Sequence, residues 1–418
     1  MAEGAGERVA VDMTESVKDG TILDPTCHVW LRDPGLRTVF VALKAGNAEA
    51  RAVGGAVRNS LLGLPVADID LAVNLPPERA EAALAAVGIK SVRTGFAHGT
   101  ITAVVAHRGY EMTSLRRDVA TDGRHAEVAY TDVWAEDAAR RDFTFNALYV
   151  DAAGKIYDYH HGIDDLRAGR VRFIGAAAAR IAEDYLRILR FFRFHAAYGR
   201  GDADADGLAA CVAAAPMLGL LSRERVTQEF RKLLLTLDPV PVLELMRAHD
   251  ILAQIVPLDL RVERLEVLLR LDPVAGFAAR LAVMLPPDVL LEPVLRTVLR
   301  LSVVELRDVL ELSDPARAVT RDKLPRALYR WGAEYCRMRV LVQVAAGDAL
   351  ELDAMLAAIA AWRRPVFPLT GAAMLALGIA PSLRFGEILR AVEDWWIEGG
   401  FKDSKAACLA EARRRAGI

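Results

Sequence analysis

Hydrophobic and polar residues alternate with a period of two in several short segments near the start of the chain. The clearest is 66–73 (VADIDLAV), in which aliphatic residues occupy every second position from Ile69, and Asp68 and Asp70 occupy alternate positions on the other face. Because successive side chains of a strand point to opposite faces, this pattern predicts a strand with one apolar face and one face that bears two carboxylates.

Similar segments around this strand predict an α/β head of roughly 150 residues. A short strand, 48–53, leads into the glycine pair 54–55 and a helix. The stretch 99–116 (GTITAVVAHRGYEMTSLR) predicts a hairpin of two alternating strands with its turn at 107–109.

From Ala176 onward the alternation gives way to apolar residues at spacings of three and four, the period of an amphipathic helix. One such pattern continues through 179–199 (ARIAEDYLRILRFFRFHAAYG) and predicts a single helix. The predicted fold class is α+β: a mixed sheet with helices at the N-terminal end, followed by an all-helical remainder.

Composition narrows the range of functions. The chain has 53 basic and 55 acidic residues, so any nucleic acid has to be bound by local basic patches rather than by overall charge. The four cysteines are too scattered for the spacing of a metal site and are typical of a reducing compartment. Neither a signal peptide nor a membrane-spanning run is predicted, and the expected location is the cytoplasm.

The two aspartates of 66–73 are the first candidates for chemistry. Their Cα atoms would lie roughly 6.6 Å apart, and carboxylates that close repel each other unless a cation lies between them. Asp68 and Asp70 are therefore candidate ligands of a divalent metal, and Glu111 would complete a hard-oxygen site for Mg²⁺ if its strand neighbours theirs. The alternative for Glu111 is a solvated hairpin residue.

Two further motifs place arginines where a phosphate could bind. Gly54 and Gly55, at a predicted strand-to-helix turn, allow the backbone to approach a ligand closely, and Arg58 lies one turn into the helix. Arg140 and Arg141 precede a packed segment in which Asp142 could orient one of them. The alternatives are a tight turn with a surface arginine and a surface salt bridge.

The predicted helix 179–199 has a polar side opposite its apolar stripe. On it, Asp184, Arg187, Arg190 and Arg193 follow one another in steps of about 60°. Asp184 and Arg187 are i, i+3 neighbours, and an acid beside an arginine offers the acceptor and the donors that can bind the edge of a base. The alternative is a solvated basic face with one ion pair.

Together these segments resemble the class II tRNA nucleotidyltransferase and poly(A) polymerase family of the DNA polymerase β superfamily. The motifs GG-x-V-R, D-x-D, R-R-D-F-T-x-N-A and E-D-x-x-R-x-L-R occur here in the order and spacing of that family, between about Val53 and Tyr198. The resemblance then fades, until the stretch 369–396 is similar to the family's tail segment.

The resemblance implies a domain order and an activity. A flexible tail (1–24) would precede a polymerase-β-like nucleotidyltransferase head (25–172), followed by a helical neck (173–235), body (236–330) and tail (331–418). The implied activity is addition of CCA to the 3′ end of tRNA from CTP and ATP, with two Mg²⁺ ions that activate the ribose hydroxyl and neutralise the pyrophosphate. The expected partners are the tRNA acceptor end and the two nucleotides, with no membrane and no obligate protein partner.

The resemblance also implies roles for individual residues. Asp68 and Asp70 would bind the metal, with Glu111 as the third catalytic carboxylate. The implied nucleotide-binding residues are Gly55, Arg58, Arg141, Asp184, Arg187, Arg190 and Arg193. Of these, the first three would hold the triphosphate, the next two would pair with the base, and the last two would add further contacts. Asn59 departs from the family, which usually has an aspartate there, so an ion pair at this position is in question.

Three alternatives stay open. A poly(A) polymerase shares these motifs, but the basic run that follows the neck in bacterial poly(A) polymerases is not found here. An enzyme that adds only CC or only A is disfavoured by a polar stretch, about 116–125, that could be the family's flexible loop. A non-catalytic RNA-binding protein on the same fold is the alternative of another class, and the intact Asp68 and Asp70 argue against it.

Overall fold

The computed structural model describes residues 18–121, 126–287, 289–376 and 383–418. The chain divides into two compact units, Met1–Pro257 and Leu258–Ile418. Among the described residues the first unit contains all the strands, and the second is built from helices, so the predicted α+β class is confirmed. The finer division into five segments stays a prediction, and the boundary after Pro257 falls inside the predicted body.

A seven-stranded mixed sheet forms the centre of the first unit. The strands of this unit are β1 (Ala50–Val53), β2 (Asp70–Val73), β3 (Lys90–Gly95), β4 (Thr100–Val105), β5 (Arg108–Ser114), β6 (Arg116–Thr121), β7 (Ala126–Tyr130), β8 (Leu148–Asp151) and β9 (Ile156–Asp158). Their order in the sheet is β3-β4-β5-β2-β1-β8-β9, and β6 pairs with β7 in a separate hairpin. Neighbours in the large sheet are antiparallel except β2 and β5, which are parallel.

The aspartate strand is shorter than predicted and does not include Asp68, but its apolar face is as predicted. β2 begins at Asp70, and residues 66–69 lie outside any regular element. The three aliphatic residues at every second position belong to one buried cluster, whereas Ala72 belongs to a different cluster that contains Trp134. The two faces of β2 therefore pack into two separate apolar cores.

The predicted hairpin is present as β4 and β5, with its turn displaced. The turn residues are Ala106 and His107, both with positive φ (48° and 64°). Val105 pairs directly with Arg108, so the turn consists of residues 106–107. The predicted turn at 107–109 is therefore wrong: it begins one residue too late and ends two residues too late. Two-residue turns with positive φ match the right-handed twist of the strands that they join.

The end of the predicted flexible tail, 1–24, belongs to the sheet. Gly20 and Leu23 donate backbone hydrogen bonds to Ile156 (3.0 Å) and Gly154 (2.8 Å), respectively. Leu23 is also buried. The tail boundary at residue 24 is therefore placed too late, because residues 20–23 extend the β9 edge; residues 1–17 lie outside the described part of the chain.

The first part of the polar stretch 116–125, predicted as a flexible loop, coincides with strand β6. Arg116 pairs with Tyr130 at the base of the β6–β7 hairpin. Residues 122–125 lie outside the described residues, so the loop stays a prediction.

The helices of the first unit pack around the sheet and continue beyond it. They are α1 (Pro34–Ala45), α2 (Gly55–Leu61), α3 (Pro77–Ala85), α4 (Trp134–Ala139), α5 (Gly162–Ala168), α6 (Ala177–Glu183), α7 (Leu186–Tyr198), α8 (Ala205–Ala214), α9 (Arg223–Leu234), α10 (Val240–Ala248) and α11 (Ile251–Ile255). Short 3₁₀ turns occur at Val29–Arg32, Phe96–His98, Thr144–Asn146 and Ala215–Leu220.

The single helix predicted for 179–199 is interrupted at Asp184. This residue is extended (φ −155°, ψ 105°) and separates α6 from α7. Its Oδ1 accepts a hydrogen bond from the backbone N–H of Leu186 (3.1 Å). Aspartate favours such a position at the start of a helix over the helix interior, because its side chain competes for backbone hydrogen bonds.

The second unit consists of helices around its own apolar clusters. The helices are α12 (Val262–Leu271), α13 (Phe277–Met284), α14 (Leu291–Val298), α15 (Val303–Ser313), α16 (Leu324–Trp331), α17 (Ala333–Ala346), α18 (Leu352–Ala361), α19 (Gly371–Leu375), α20 (Leu383–Glu398) and α21 (Lys405–Ala416), with a 3₁₀ turn at Pro315–Arg317. In the described part of the chain, no helix has the length and apolar character needed to cross a membrane.

Candidate active site

A cavity of about 510 Å³ opens in the first unit where β1, β2, β4 and β5 meet α7. The predicted site residues that line it are Gly55, Arg58, Asp70, Glu111, Arg141 and Arg190. The predicted residues outside its lining are Asp68, Asp184, Arg187 and Arg193. Two walls of opposite charge are thus brought together: the acidic wall (Asp70, Glu111) and the arginine wall (Arg58, Arg140, Arg141, Arg190).

The turn between β1 and α2 brings backbone to this cavity. Gly54 has φ 68° and ψ −114°, which glycine adopts without the strain that a side chain would cause. Its N–H donates to the carbonyl of Leu148 (3.1 Å), and its carbonyl accepts the N–H of Arg58 (2.9 Å). A Cβ on Gly55 would meet only Arg58 Nη2, at 3.8 Å. Of the predicted glycine pair, Gly54 is therefore the position that requires glycine.

Asp70, the first residue of β2, lies beside Glu111, in the middle of the parallel strand β5. In the register of β2 and β5, Leu71 lies opposite Met112, so the residues that precede them, Asp70 and Glu111, are adjacent across the two strands. Partial burial and the charge of Asp70 raise the pKa of Glu111. Partial burial also raises the pKa of Asp70, and the charge of Asp68 adds to the increase. The positive charge of Arg141 lowers this pKa, but the net shift is upward. The carboxylates are thus close enough to affect one another.

The chemistry of these side chains fits a divalent cation. All three candidate ligands are carboxylates, the oxygen donors that Mg²⁺ prefers, and a cation would offset the repulsion between these like charges. Within the described residues, no three acidic, histidine or cysteine side chains converge closely enough to form a complete metal centre. The structure brings Asp70 and Glu111 together, and Asp68 lies outside the lining of the cavity.

Arg58 is buried and held by three side chains. It donates to Asn146 Oδ1 (2.6 Å), to the Tyr198 hydroxyl (2.9 Å) and to Asn59 Oδ1 (3.2 Å). Its guanidinium also lies over the Tyr198 ring, 4.4 Å from the centroid. Burial lowers the pKa of Arg58. The amide at position 59 therefore keeps a hydrogen bond to Arg58, although it cannot form an ion pair.

Arg140 and Arg141 are held by Asp137, a residue that the sequence analysis misses. The Asp137 carboxylate accepts Arg140 Nε at 2.8 Å and Arg141 Nη2 at 3.1 Å. Asp142 pairs instead with Arg190, whose Nε lies 2.7 Å from Asp142 Oδ2. The prediction that Asp142 orients a neighbouring arginine is therefore wrong. The sequence feature that could have identified Asp137 is its spacing, because it precedes the two arginines by one helical turn.

A buried chain of hydrogen bonds connects the arginine wall. Asp142 Oδ1 accepts Asn146 Nδ2 at 3.0 Å, and the same Asn146 accepts Arg58. Arg190 lowers the pKa of Asp142 even though burial alone would raise it. Arg58 and Arg190 are thus fixed relative to each other through two side chains of the segment that follows Arg141.

The predicted base-selecting residues have other partners. Asp184 Oδ2 accepts Arg225 of α9 at 2.7 Å, and Arg187 pairs with Glu183 at 2.5 Å. The expected side-by-side arrangement on one helix is wrong, because Asp184 precedes α7. Arg193 pairs with Glu229, a buried carboxylate of α9, at 2.5 Å.

Comparison with known proteins places the chain in a family. Residues 50–172 match the poly A polymerase head domain, and residues 204–258 match the probable RNA and SrmB-binding site of polymerase A. The human CCA tRNA nucleotidyltransferase 1, mitochondrial, is 30% identical over 413 residues, which cover 91% of this chain and 90% of that protein. The chain belongs to the CCA tRNA nucleotidyltransferase family. The recognition of this family from the sequence motifs is confirmed.

Other members of the CCA tRNA nucleotidyltransferase family agree with this assignment. The CCA-adding enzyme of Streptococcus sanguinis is 41% identical over 199 residues, 47% of this chain and 49% of that enzyme. The Bacillus stearothermophilus CCA-adding enzyme, solved in complex with CTP, has a TM-score of 0.73 and 25% identity, and the match covers 91% of this chain and 97% of that chain. The family consists of nucleotidyltransferases, which generally use divalent metals.

Proposed function

We propose that this CCA tRNA nucleotidyltransferase adds CCA to the 3′ end of tRNA, without a nucleic acid template, from CTP and ATP. The observation that carries the proposal is similarity along nearly the whole chain to an enzyme of that name. The cavity supports it, because carboxylates for a metal and arginines for a triphosphate line the same space.

Asp68, Asp70 and Glu111 are the residues that would hold the metal, which we propose to be Mg²⁺. When bound, the metal supplies a Lewis acid that lowers the pKa of the attacking ribose hydroxyl and neutralises the departing pyrophosphate. The protein fixes Asp70 beside Glu111 through strand pairing, and Arg141 favours the ionised form of Asp70. No side chain has to act as a nucleophile, because the RNA supplies the hydroxyl.

Gly55, Arg58 and Arg141 would bind the triphosphate. Arg58 Nε is buried and has no hydrogen-bond partner within the described residues, so a phosphate oxygen would reach this donor only if the side chain moved. Hydrogen bonds from guanidinium to phosphate are charge-assisted and therefore stronger than neutral ones. Arg140, which the sequence motif offers as a phosphate contact but the family resemblance does not name, joins this set because it lines the cavity beside Arg141.

Asp184 and Arg187 would select the base, with Arg190 and Arg193 as further nucleotide contacts. Cytosine and adenine both present an amine donor beside a ring-nitrogen acceptor, which matches a carboxylate beside a guanidinium. Uracil and guanine present the reverse pattern. Asp184 is paired with Arg225 and Arg187 with Glu183, so a base would have to share or displace these partners.

Recognition of tRNA would use the helical part of the chain. Shape and phosphate contacts dominate protein binding to double-stranded RNA, so the acceptor arm can be held without reading its sequence. The match of residues 204–258 to an RNA-binding segment supports this role. The proposed location is the cytoplasm, whereas the human relative is named as mitochondrial.

Incubation of the purified protein with tRNA that lacks its 3′ end tests this proposal. CTP, ATP or both are supplied with Mg²⁺, and the products are sequenced. We expect CC from CTP alone and CCA from both nucleotides, with no incorporation after chelation of the metal. Products that end at CC with both nucleotides, single adenylation of every substrate, or long A tracts would each identify a different member of the superfamily. Absence of incorporation would favour a non-catalytic RNA-binding protein.

A further inference from the structure

Asp137 is a buried carboxylate that contacts two arginines of the cavity. It lies near the end of α4 and is 1% exposed. Oδ1 accepts Arg140 Nε at 2.8 Å, and Oδ2 accepts Arg141 Nη2 at 3.1 Å. Oδ2 also accepts the hydroxyl of Tyr149 at 2.8 Å, and that hydroxyl in turn accepts Arg141 Nε at 3.1 Å.

The two guanidinium groups bind Asp137 through the same edge. In each, Nε and Nη2 are directed to Asp137, so the edge with Nη1 points away from it. Arg140 is further fixed by a bond from Nε to the carbonyl of Arg116 (3.1 Å). A planar guanidinium held along one edge has a defined direction for its remaining donors.

Asp137 is ionised in this setting. Burial alone would raise its pKa, but Arg141 and Arg140 together hold the pKa below the ordinary value. Asp137 and its two arginine partners carry one net positive charge, which keeps the site attractive to a polyanion. A neutral residue of the same shape would keep the packing and lose the force that aligns the arginines.

We propose that Asp137 is a positioning residue for the triphosphate: it holds Arg140 and Arg141 so that their outer edges are directed at the phosphate oxygens, and Tyr149 fixes the carboxylate. The inference deepens the proposed function and rests on it, because it takes the arginine wall as the place where the triphosphate binds. Asp137 touches neither the nucleotide nor the metal, and acts through the two arginines.

The competing explanation is that Asp137 only stabilises the fold, since a buried charge with one partner removed is strongly destabilising. The two explanations differ in what the substitution Asp137→Asn does to phosphate binding. A positioning role predicts that KM for CTP and ATP rises about tenfold or more, because small displacements of binding groups have large effects. We expect kcat to change little, since the contact is present in both the ground state and the transition state.

A binding measurement separates the phosphate contact from catalysis. Inorganic tripolyphosphate is titrated into the full-length protein in a calorimeter, and we expect Asp137→Asn to weaken its binding by the same factor as KM for CTP rises. KM for tRNA should stay the same. Tyr149→Phe removes only the hydroxyl and should weaken tripolyphosphate binding by a smaller factor, which keeps the inference testable if Asp137→Asn does not fold.

Asp165 offers a matched control for the effect of burial. It is also 1% exposed and accepts two arginines and a hydroxyl: Arg170 (3.4 Å), Arg172 (2.8 Å) and Thr144 (2.7 Å). It does not line the active-site cavity. We expect Asp165→Asn to lower the melting temperature without a change in tripolyphosphate affinity.

Two results would overturn the inference: unchanged tripolyphosphate affinity in Asp137→Asn, or an equal loss in Asp165→Asn. A wild-type protein that binds tripolyphosphate but incorporates no nucleotide would contradict the proposed function instead. The calorimetric comparison of the variants would then still decide whether Asp137 positions the arginines.

Discussion

Asp70, which we propose as a metal ligand, lies in an environment unfavourable to its charge. Partial burial and the charge of Asp68 raise its pKa, so its ionised form destabilises the metal-free fold at neutral pH. We expect Asp70→Asn to abolish nucleotide incorporation while the melting temperature, measured by calorimetry without metal, stays the same or rises slightly. The rise is small because the side chain reaches solvent and its interactions are screened.

The pH dependence of this effect has a definite sign. A raised pKa in the folded state means that the stabilising contribution of protonated Asp70 is fully present below the ordinary value of 3.8 and is lost as the pH rises through the folded-state pKa. The difference in melting temperature between Asp70→Asn and the wild type should therefore be largest near neutral pH and vanish in acid. A less stable variant at neutral pH, or one with normal turnover, would contradict the metal-site assignment.

Base selection is the second prediction that belongs to individual residues. We expect the double substitution Asp184→Asn with Arg187→Ala to let UTP or GTP compete with CTP and ATP. Each matched hydrogen-bonded pair is worth about 1–3 kcal/mol of discrimination. The measurement is incorporation from mixed nucleotides, with the metal dependence as a check that the chemistry is intact.

Arg225→Ala controls for the ion pair that Asp184 makes in the described structure. This substitution frees Asp184 but leaves both proposed base-selecting residues in place, so we expect the preference for CTP and ATP to persist. If the double variant kept that preference as well, Asp184 and Arg187 would not be the residues that select the base.

At the scale of elements, the β1–α2 turn depends on one glycine of its pair. Gly54 has φ 68°, whereas Gly55 lies in the first turn of α2, where a Cβ would make only an ordinary contact with Arg58 Nη2 at 3.8 Å. We expect Gly54→Ala to lower the free energy of unfolding by about 1–2 kcal/mol or more, because a side chain is strained at positive φ. Gly55→Ala should leave the stability unchanged or raise it by about 0.4–1 kcal/mol. Urea unfolding of both variants measures this, and equal losses would be the contrary result.

Strand patterns were predictable because local sequence determines them. The alternation in 66–73 correctly assigned Ile69 and Ala72 to opposite faces, since a strand with two buried faces has few alternative registers. The helix 179–199 was predicted without its interruption because apolar periodicity continues across the break. The Asp at position 184 was a usable signal, as aspartate favours helix starts over helix interiors.

At the scale of the whole molecule, family and fold class followed from the order of the motifs, whereas the partners of the charged residues did not. Asp184 meets Arg225 and Arg193 meets Glu229 across separations of 41 and 36 residues. A single sequence does not show which distant side chains are in contact, because many arginines and acidic residues are equally suitable partners. The local exception is Asp137, whose spacing from Arg141 matches one helical turn.

The length of the product is a property of the whole enzyme rather than of one residue. A single nucleotide site has to accommodate the growing RNA end at each step, and we expect it to become sterically blocked once CCA is complete. With tRNA that lacks its 3′ end, CTP and ATP, addition should therefore stop after three residues, even with a large excess of ATP. Sequencing of the products over a time course measures this directly.

Mature tRNA that already ends in CCA is the matched control, and it should accept no further nucleotide under the same conditions. A site that only bound nucleotide and metal, without sensing the growing end, would continue to add adenylate to both substrates. Continued adenylation would therefore show that the arrangement of Asp70, Glu111 and the arginine wall serves a poly(A) polymerase. Such an enzyme has the same motifs and the same chemistry, so product length is the property that separates the two.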